Sequence, residues 1–430
     1  MEEIKLLCTA DLHLGRFPSR IPDRDEEFSP TFIWNNIVKQ TIDSQVDAVI
    51  ITGDIIDRED CYYEAYGSFE AGIKRLEKEG IVVFAVAGNH DYNLLPRLSR
   101  TMNTEFFKLL GAGGKWELES LKKDGQAVLN ILGWSYPTRH VDKNPISELE
   151  LPENGLPTVA LLHAELNDSQ SNYVSLSKDR LKGTGISAWV LGHIHQADLA
   201  STSTPLILNP GSPQPLTPND QECHSTWELT IKKESEFEVL RLATANLRYM
   251  DLEVNLSKVT KLDDLLRIIP QELEKKLEEE IELDWQPKLI ILRVKLAGRT
   301  EFHREITLKK ESLLENLQLT VKGSRVLIES LDNQTQAPID IEKLAKGNTS
   351  LALLAEYILN LEAGELDKLP QKLFTEIEEK LEEAYRSNAY APLRSQDRIK
   401  PLRKKEIAAL LKEEGQLLLH SLLAQKEGPN

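Results

Sequence analysis

The chain has 430 residues, with 52 Lys or Arg against 69 Asp or Glu and a formal net charge of −17. This length predicts two or three domains of ordinary size. No run approaches the roughly 18 apolar residues of a membrane-spanning helix, and the acidic start Met1-Glu2-Glu3 leads into an apolar run unlike a signal peptide. We therefore expect a cytoplasmic protein with no membrane segment.

In the first half of the chain, apolar strand-like runs end on polar residues. The runs and the residues that follow them are 4–10 before Asp11 and His13, 47–52 before Asp54, 81–87 before Asn89 and His90, 158–162 before His163, and 188–191 before His193 and His195. Amphipathic helical stretches such as residues 62–79 alternate with these runs, which is typical of a layered α/β domain. Ligands gather at the carboxyl ends of strands in such sheets, so the five loops are expected to form one crevice.

A second pattern begins near residue 246. Strand-like runs at 249–255, 288–296 and 325–330 alternate with helical runs at 262–280 and 308–316, which predicts a small α+β domain. From about residue 350 the pattern is helical, over residues 350–361, 366–384 and 404–425. The predicted domains are residues 1–245, 246–345 and 346–430.

The polar loops carry the residue types of a two-metal site for phosphodiester hydrolysis, which needs an activated water and compensation for charge on the phosphoryl oxygens. Asp54 is the predicted bridging ligand because it stands alone after its strand, beside Gly53. One metal ion would be completed by Asp11, His13 and His195, and the other by Asn89, His163 and His193. Mixed imidazole, carboxylate and amide ligands favour Mn²⁺, Fe²⁺ or Zn²⁺ over Ca²⁺. His193 and His195 would reach different ions only if the chain turns sharply after its strand.

His90 adjoins Asn89 and is predicted to act in catalysis, by protonating the leaving oxygen or stabilising the transition state. Asp91, or another carboxylate, would orient its ring. In the competing interpretation His90 is a third metal ligand. His140, His224, His303 and His420 lie outside the motifs and are interpreted as structural or surface residues.

Arginines next to the metal loops are candidates for holding phosphate groups. Arg16, Arg97 and Arg139 are the predicted substrate contacts, and the alternative is that each pairs with a nearby acidic residue. Residues 1–250 carry 24 Lys or Arg and 36 Asp or Glu. This acidic balance argues against strong binding of nucleic acid by bulk charge alone.

The motifs Asp11-Leu12-His13-Leu14-Gly15, Gly53-Asp54-Ile55-Ile56-Asp57, Gly88-Asn89-His90-Asp91 and Gly192-His193-Ile194-His195 resemble the calcineurin-like metallophosphoesterase superfamily. Within it, the chain resembles the SbcD-like DNA double-strand-break repair nucleases, of the YhaO type. The resemblance implies a layered β-sandwich flanked by helices, a capping domain at residues 246–345, two Mn²⁺ ions on the seven ligands, and catalysis by His90 without metal contact. It also implies exonuclease and endonuclease cleavage of DNA with an SbcC-like, SMC-type coiled-coil ATPase as partner. Asp57 stands where archaeal and eukaryotic members often have histidine, which fits the bacterial branch.

The helical third of the chain is the predicted partner-docking region. Ile407, Leu410, Leu411, Leu418, Leu422 and Leu423 form a broad apolar stripe, which would dock on another helix or pack within this chain. Residues 32–42 are a candidate helix for a homodimer, and ordinary core packing explains their pattern equally well.

Three functional classes remain open. The leading one is a Mn²⁺-dependent DNA nuclease that works with an ATPase. The second is a phosphodiesterase acting on a nucleotide or another small phosphoester, and the third is a scaffold with a vestigial site. A complete ligand set argues against the third class, and the 180 residues after residue 250 argue against the second.

Overall fold

The computed structural model describes residues 3–21, 25–57, 62–141, 144–167, 173–232, 236–279, 285–316, 318–368, 371–387 and 404–427. In this part of the chain no helix is both long and apolar enough to span a membrane. The five strand-like runs before the polar loops form strands, and each end of each strand lies within one residue of its predicted position.

Two six-stranded sheets build the first part of the chain. The first sheet has the order β14-β13-β1-β2-β3-β4, in which β1 to β4 are parallel and β13 and β14 are antiparallel additions. Its strands are β1 (Ile4–Thr9), β2 (Ala48–Thr52), β3 (Val82–Val86), β4 (Phe107–Leu109), β13 (Ser225–Ile231) and β14 (Phe237–Ala243).

The second sheet has the order β11-β12-β10-β7-β6-β5, with a parallel centre and an antiparallel strand at each edge. Its strands are β5 (Glu117–Lys123), β6 (Gln126–Trp134), β7 (Thr158–His163), β10 (Ala188–Gly192), β11 (Asp198–Ser201) and β12 (Leu206–Asn209). A short parallel pair, β8 (Glu165–Leu166) and β9 (Ser175–Leu176), lies beyond β7.

Alternate residues of the central strands enter two different cores. On β2, Ala48 and Ile50 join the core between the two sheets, whereas Val49 and Ile51 join the core under the helices. These helices are α1 (Pro30–Asp43), α2 (Tyr62–Lys78) and α3 (Leu95–Thr101), and the short α4 (Lys178–Lys182) precedes β10. Burial on both faces explains why the strands read as continuous apolar runs. The predicted layered β-sandwich flanked by helices is confirmed.

Helix α1 contributes to the helix-side core. Ile33, Ile37 and Val38 are buried in it, and Phe32 packs against it. These are the apolar residues of the candidate dimer helix, so they already contact the rest of this chain. The homodimer stays a proposal.

The predicted α+β domain contains a four-stranded sheet in the order β15-β16-β18-β17. Its strands are β15 (Leu247–Asn255), β16 (Leu289–Ala297), β17 (Gln318–Val321) and β18 (Ser324–Asn333), and its helices are α5 (Leu265–Glu279), α6 (His303–Leu308) and α7 (Lys310–Asn316). Strand β17 was not predicted. We call this four-stranded sheet, which includes β15 and β16, the cap sheet. Ile21 and Phe28, from the loop after β1, pack in one apolar cluster with Tyr249 and Ile291 of this sheet.

The chain divides into two compact units, Met1–Gly298 with Arg304–Gln334, and Arg299–His303 with Thr335–Asn430. The first unit holds both large sheets and the cap sheet, and the three-domain division stays a prediction. The second unit is helical, with α8 (Ile341–Ala345), α9 (Ser350–Ala363), α10 (Gln371–Arg386) and α11 (Lys404–Glu427).

Within the second unit, α11 packs on α9. Ile407 and Leu419 of α11 are buried, whereas Leu410, Leu417 and Leu418 are more than two-fifths exposed. The predicted stripe is therefore divided between contacts within this unit and an exposed face.

Two glycines of α2 differ in the space around them, and Gly72 lies where this helix packs on α1. A methyl group at Gly72 would lie 2.2 Å from Nε1 of the buried Trp34, whereas one at Gly67 would meet nothing within 4 Å. Alanine stabilises an open helix position by about 1 kcal/mol, and overpacking costs about 1–3 kcal/mol. We expect Gly67→Ala to raise the free energy of unfolding and Gly72→Ala to lower it by about 1–2 kcal/mol. Urea denaturation checks both, and equal stabilisation by the two variants would contradict the close contact.

Candidate metal centre

The loops after β1, β2, β3, β7 and β10 meet at one end of the sandwich, as the sequence predicted. The loops after β1 and β2 run side by side, with hydrogen bonds from the Asp11 amide to the Gly53 carbonyl (3.1 Å) and from the His13 amide to the Asp54 carbonyl (3.0 Å). The Thr52 hydroxyl donates to the Leu191 carbonyl (2.6 Å), which joins the first sheet to the second. All seven predicted ligands are therefore brought together.

One group of side chains consists of Asp11, His13 and His195. Their potential ligand atoms lie within 4.8 Å of one another. The Nε2 atoms of His13 and His195 are 3.2 Å apart. These are the three residues predicted to complete the first ion.

The second group consists of Asp54, His163 and His193, whose potential ligand atoms also lie within 4.8 Å of one another. Asn89 belongs with them, because its Oδ1 atom lies 3.0 Å from His163 Nε2 and 3.2 Å from His193 Nδ1. These are the residues predicted for the second ion.

Asp54 lies where a bridging ligand is required. Its Oδ2 atom is 3.3 Å from His163 Nε2 in the second group and 4.0 Å from His13 Nε2 in the first. Its Oδ1 atom accepts a hydrogen bond from the His90 amide (2.9 Å). The carboxylate therefore faces both groups at once.

Tight turns after the strands aim these side chains. Asp11, His13, Asp54 and His193 all have positive φ angles, between 45° and 86°. The turn at His193 sends its ring to the second group while His195 reaches the first, as the sequence argument required. Gly53 also has a positive φ, and a methyl group there would lie 2.3 Å from His163 Nδ1, so only glycine fits this approach.

Asp57 organises two histidines at the edge of the site. Its Oδ1 atom lies 3.0 Å from His13 Nδ1 and 2.9 Å from His90 Nδ1. The Nε2 atom of His90 then lies 3.9 Å from Asp54 Oδ2. The hydrogen bond to Asp57 raises the pKa of His90, so the ring retains a proton to higher pH than a free histidine.

Asp91 does not orient the His90 ring, which the sequence suggested as one alternative. Its carboxylate accepts hydrogen bonds from the amides of Gly88 (2.8 Å) and Ile55 (2.7 Å). It therefore ties the turn after β3 to the turn after β2, and the carboxylate that contacts the His90 ring is Asp57. The second aspartate of the Gly53-Asp54-Ile55-Ile56-Asp57 motif is the sequence signal that could have identified it.

The chemistry of the donor set fits divalent cations. Burial lowers the pKa of His193 to about 3 and that of His195 to about 4, so both rings are neutral and have lone pairs for a metal. Burial raises the pKa of Asp11 to about 6. Burial opposes ionisation of Asp54 as well, but the charge of His163 keeps the pKa of Asp54 low.

His163 behaves differently from the other two rings. Although burial favours its neutral form, the carboxylate of Asp54 raises the pKa of His163 to about 9. A proton and a cation would compete for this pair, so metal binding there would release a proton.

An aromatic wall borders the second group. The Tyr173 ring lies 4.5 Å from the His193 ring, and the His140 ring stacks on Tyr173 at 5.6 Å, measured between centroids. His140 was interpreted as lying outside the site, because nothing in its local sequence connects it with the motifs.

The predicted phosphate contacts lie in different settings. Arg16 lies 4.0 Å from Asp57, which places it at the site and also gives it an acidic partner. Arg97 is exposed on α3, and Arg139 is exposed in the loop after β6. Their contacts with substrate stay predictions.

Comparison with protein families agrees with this geometry. Residues 4–197 match the model for calcineurin-like phosphoesterases, and residues 249–336 match the model for the middle domain of the metallophosphoesterase YhaO. Residues 4–197 form a calcineurin-like phosphoesterase domain. It belongs to a superfamily of metal-dependent hydrolases, and its aspartate and histidine clusters suit divalent metals.

Relatives of the phosphoesterase domain are distant. The uncharacterized metallophosphoesterase YhaO of Bacillus subtilis is 24% identical over 50% of this chain and 54% of its own length. The DNA double-strand break repair protein Mre11 of Methanosarcina mazei is 28% identical over 35% of this chain and 23% of its own length. The chain therefore spans about half or less of the length of these relatives. A crystal structure of the calcineurin-like phosphoesterase YfkN from Bacillus subtilis covers 64% of this chain and 98% of its own, with 14% identity and a TM-score of 0.37.

Asp54→Ala tests the bridging position. Because Asp54 Oδ2 faces both groups, we expect the variant to lose both metal ions, measured by elemental analysis after loading with Mn²⁺ and desalting. Asp47→Ala is the control, since Asp47 precedes the same strand at its opposite end. Loss of a single ion from the Asp54 variant would show that Asp54 is not the bridge.

His90→Ala tests the catalytic role. With Nδ1 held by Asp57, Nε2 is the ring nitrogen that faces the site and can transfer a proton, so we expect kcat to fall by roughly 10²–10⁴-fold while both ions are retained. Turnover of a generic phosphodiester and metal content measured on the same sample check this. A variant that loses an ion would support the competing interpretation of His90 as a ligand.

Proposed function

We propose that this chain is a metal-dependent DNA nuclease that hydrolyses phosphodiester bonds with two divalent cations, most simply Mn²⁺. The observation that carries the proposal is the convergence of six candidate ligand side chains around Asp54, with His90, whose pKa the hydrogen bond to Asp57 raises, beside them. Partial similarity to the Mre11 repair proteins supports DNA as the substrate and the SbcD-like branch as its family.

The proposed chemistry divides between the cations and the side chains. Two cations in these positions would activate a water molecule and balance charge on the phosphoryl oxygens. His90 faces the centre with Nε2 and donates its proton to the leaving oxygen. Asp57 holds the ring through Nδ1 and stabilises its charged form.

Binding of DNA in this proposal depends on local positive charge. Residues 1–250 are acidic overall, so their net charge would not attract DNA. The proposed phosphate contacts are therefore individual basic side chains, Arg16, Arg97 and Arg139. A partner would then contribute to holding the duplex. We propose that an SbcC-like, SMC-type coiled-coil ATPase has this role. It would dock on the exposed leucines of α11 together with Leu353 of α9. A homodimer is a separate proposal.

The second candidate is a phosphodiesterase for a nucleotide or another small phosphoester. The acidic balance of residues 1–250 favours it, because DNA binding gains most of its affinity from positive charge. The aromatic wall at Tyr173 would suit a single nucleoside as well as a base of a DNA strand.

Cleavage of end-labelled linear DNA, double-stranded and single-stranded, distinguishes the two candidates. With Mn²⁺ we expect the wild-type chain to shorten or cut the DNA and Asp54→Ala to leave it intact, because the variant lacks the bridging carboxylate. Activity that is removed by a chelator and restored by Mn²⁺ would assign the cleavage to the metal centre.

The same preparations are then given a generic small phosphodiester. Intact DNA beside rapid hydrolysis of the small substrate would contradict the nuclease proposal and support the second candidate. Cleavage by the Asp54→Ala control would reveal a contaminating nuclease.

A further inference from the structure

The outer ring nitrogens of the predicted histidine ligands point to a residue outside the motifs. His13 Nδ1 contacts Asp57 Oδ1 (3.0 Å), and His163 Nδ1 contacts the Thr52 carbonyl (2.9 Å). Histidines that bind metals generally donate their second N–H to a carboxylate or a carbonyl, which fixes the tautomer and the ring.

His195 has such a carboxylate in Asp220. The Nε2 atom of His195 faces His13 in the first group, and its Nδ1 atom lies 4.0 Å from Asp220 Oδ1. This is an ion-pair distance, longer than a hydrogen bond. Both side chains are three-quarters or more buried, so little solvent competes for the contact.

Asp220 is fixed by its own turn. Its Oδ2 atom accepts hydrogen bonds from the amide of Leu216 (3.0 Å) and from the amide and hydroxyl of Thr217 (2.9 and 3.1 Å). The Asp220 amide donates back to the Thr217 carbonyl (2.9 Å). One carboxylate oxygen is thereby used by the turn, and the other is left facing His195.

The cap sheet holds this turn from the other side. Arg293 of β16 donates to the Pro218 carbonyl (3.1 Å) and pairs with Asp251 of β15 through two contacts (2.5 and 3.0 Å). Asp251 also accepts a hydrogen bond from the Gln221 side chain (2.8 Å). The residues on either side of Asp220 are therefore attached to the cap sheet.

The loop after the first metal motif joins the same network. The Ser19 amide donates to the Leu216 carbonyl (3.0 Å), and the Ser19 carbonyl accepts a hydrogen bond from the Tyr249 hydroxyl of β15. The cap sheet thus contacts the chain that follows Asp11 and His13 as well as the turn that presents Asp220.

We propose that Asp220 is a positioning residue that orients His195 toward the first metal ion, and that the cap sheet fixes it there through Arg293 and Asp251. Metal affinity of the Asp11, His13 and His195 group then depends on a sheet that supplies no ligand. The inference rests on the proposed two-metal centre and is independent of whether DNA is the substrate.

Titration of the full-length metal-free chain with Mn²⁺, followed by calorimetry and by electron paramagnetic resonance, tests the role of Asp220. In Asp220→Asn an amide oxygen can still accept from the turn while an N–H₂ group faces His195. We expect one of the two ions to bind roughly 10–100-fold more weakly and the other to bind as in the wild type. Asp220→Glu, which keeps the carboxylate, is expected to recover part of the loss.

Matched variants separate orientation from charge. Asp198→Asn removes the same charge three residues from His195, from an exposed side chain, and is expected to leave both affinities unchanged. Arg293→Gln is expected to weaken the same ion as Asp220→Asn by a smaller factor. Lys295→Gln breaks the neighbouring Lys295–Glu253 pair between the same two strands and is expected to have no effect.

Four results would overturn all or part of the inference. Two ions bound to Asp220→Asn with wild-type affinities would remove Asp220 from this role, and equal weakening by Asp198→Asn would reduce its effect to charge alone. Unchanged metal affinities in Arg293→Gln would show that the cap sheet does not fix Asp220. A wild-type chain that binds fewer than two ions would instead overturn the two-metal centre itself, and this inference with it.

Discussion

The rest of the structure depends on a buried carboxylate. Asp54 is 2% exposed, and its Oδ2 atom faces ring nitrogens of His163, His90 and His13 at 3.3, 3.9 and 4.0 Å. A charge in such a place is costly unless cations or protonated rings balance it. The fold provides that balance by bringing histidines from both sheets to the ends of their strands, so the sandwich and the site are stabilised together.

The close approach of the two sheets is what makes this balance geometrically available. A methyl group at Gly192 of the second sheet would lie 2.0 Å from the Thr52 carbonyl of the first, and within the first sheet a methyl group at Gly88 would lie 2.2 Å from Asp54 Oδ1. Glycine at the strand ends therefore allows backbone and side chain to pack where any other residue would separate them. The same closeness brings His163 of the second sheet to Asp54 of the first.

Three further aspartates contact the loops and the histidine rings of the centre. Asp91 joins two turns through backbone amides, Asp57 holds the rings of His13 and His90, and Asp220 faces His195. In the proposed two-metal centre, ligand orientation would be set by groups one contact away from the ions.

The sequence determined the strands and the candidate ligands that meet at one end of them, because burial on both faces makes strands continuous apolar runs and each candidate ligand lies at or shortly after the end of one. It could not assign Asp57 to His90 or Asp220 to His195, since both contacts join segments far apart in the chain and depend on distances of a few ångströms. The broad stripe of α11 likewise did not reveal that Leu419 would be buried and Leu418 exposed. Only tertiary packing fixes the rotation of a helix whose apolar residues cover more than one face.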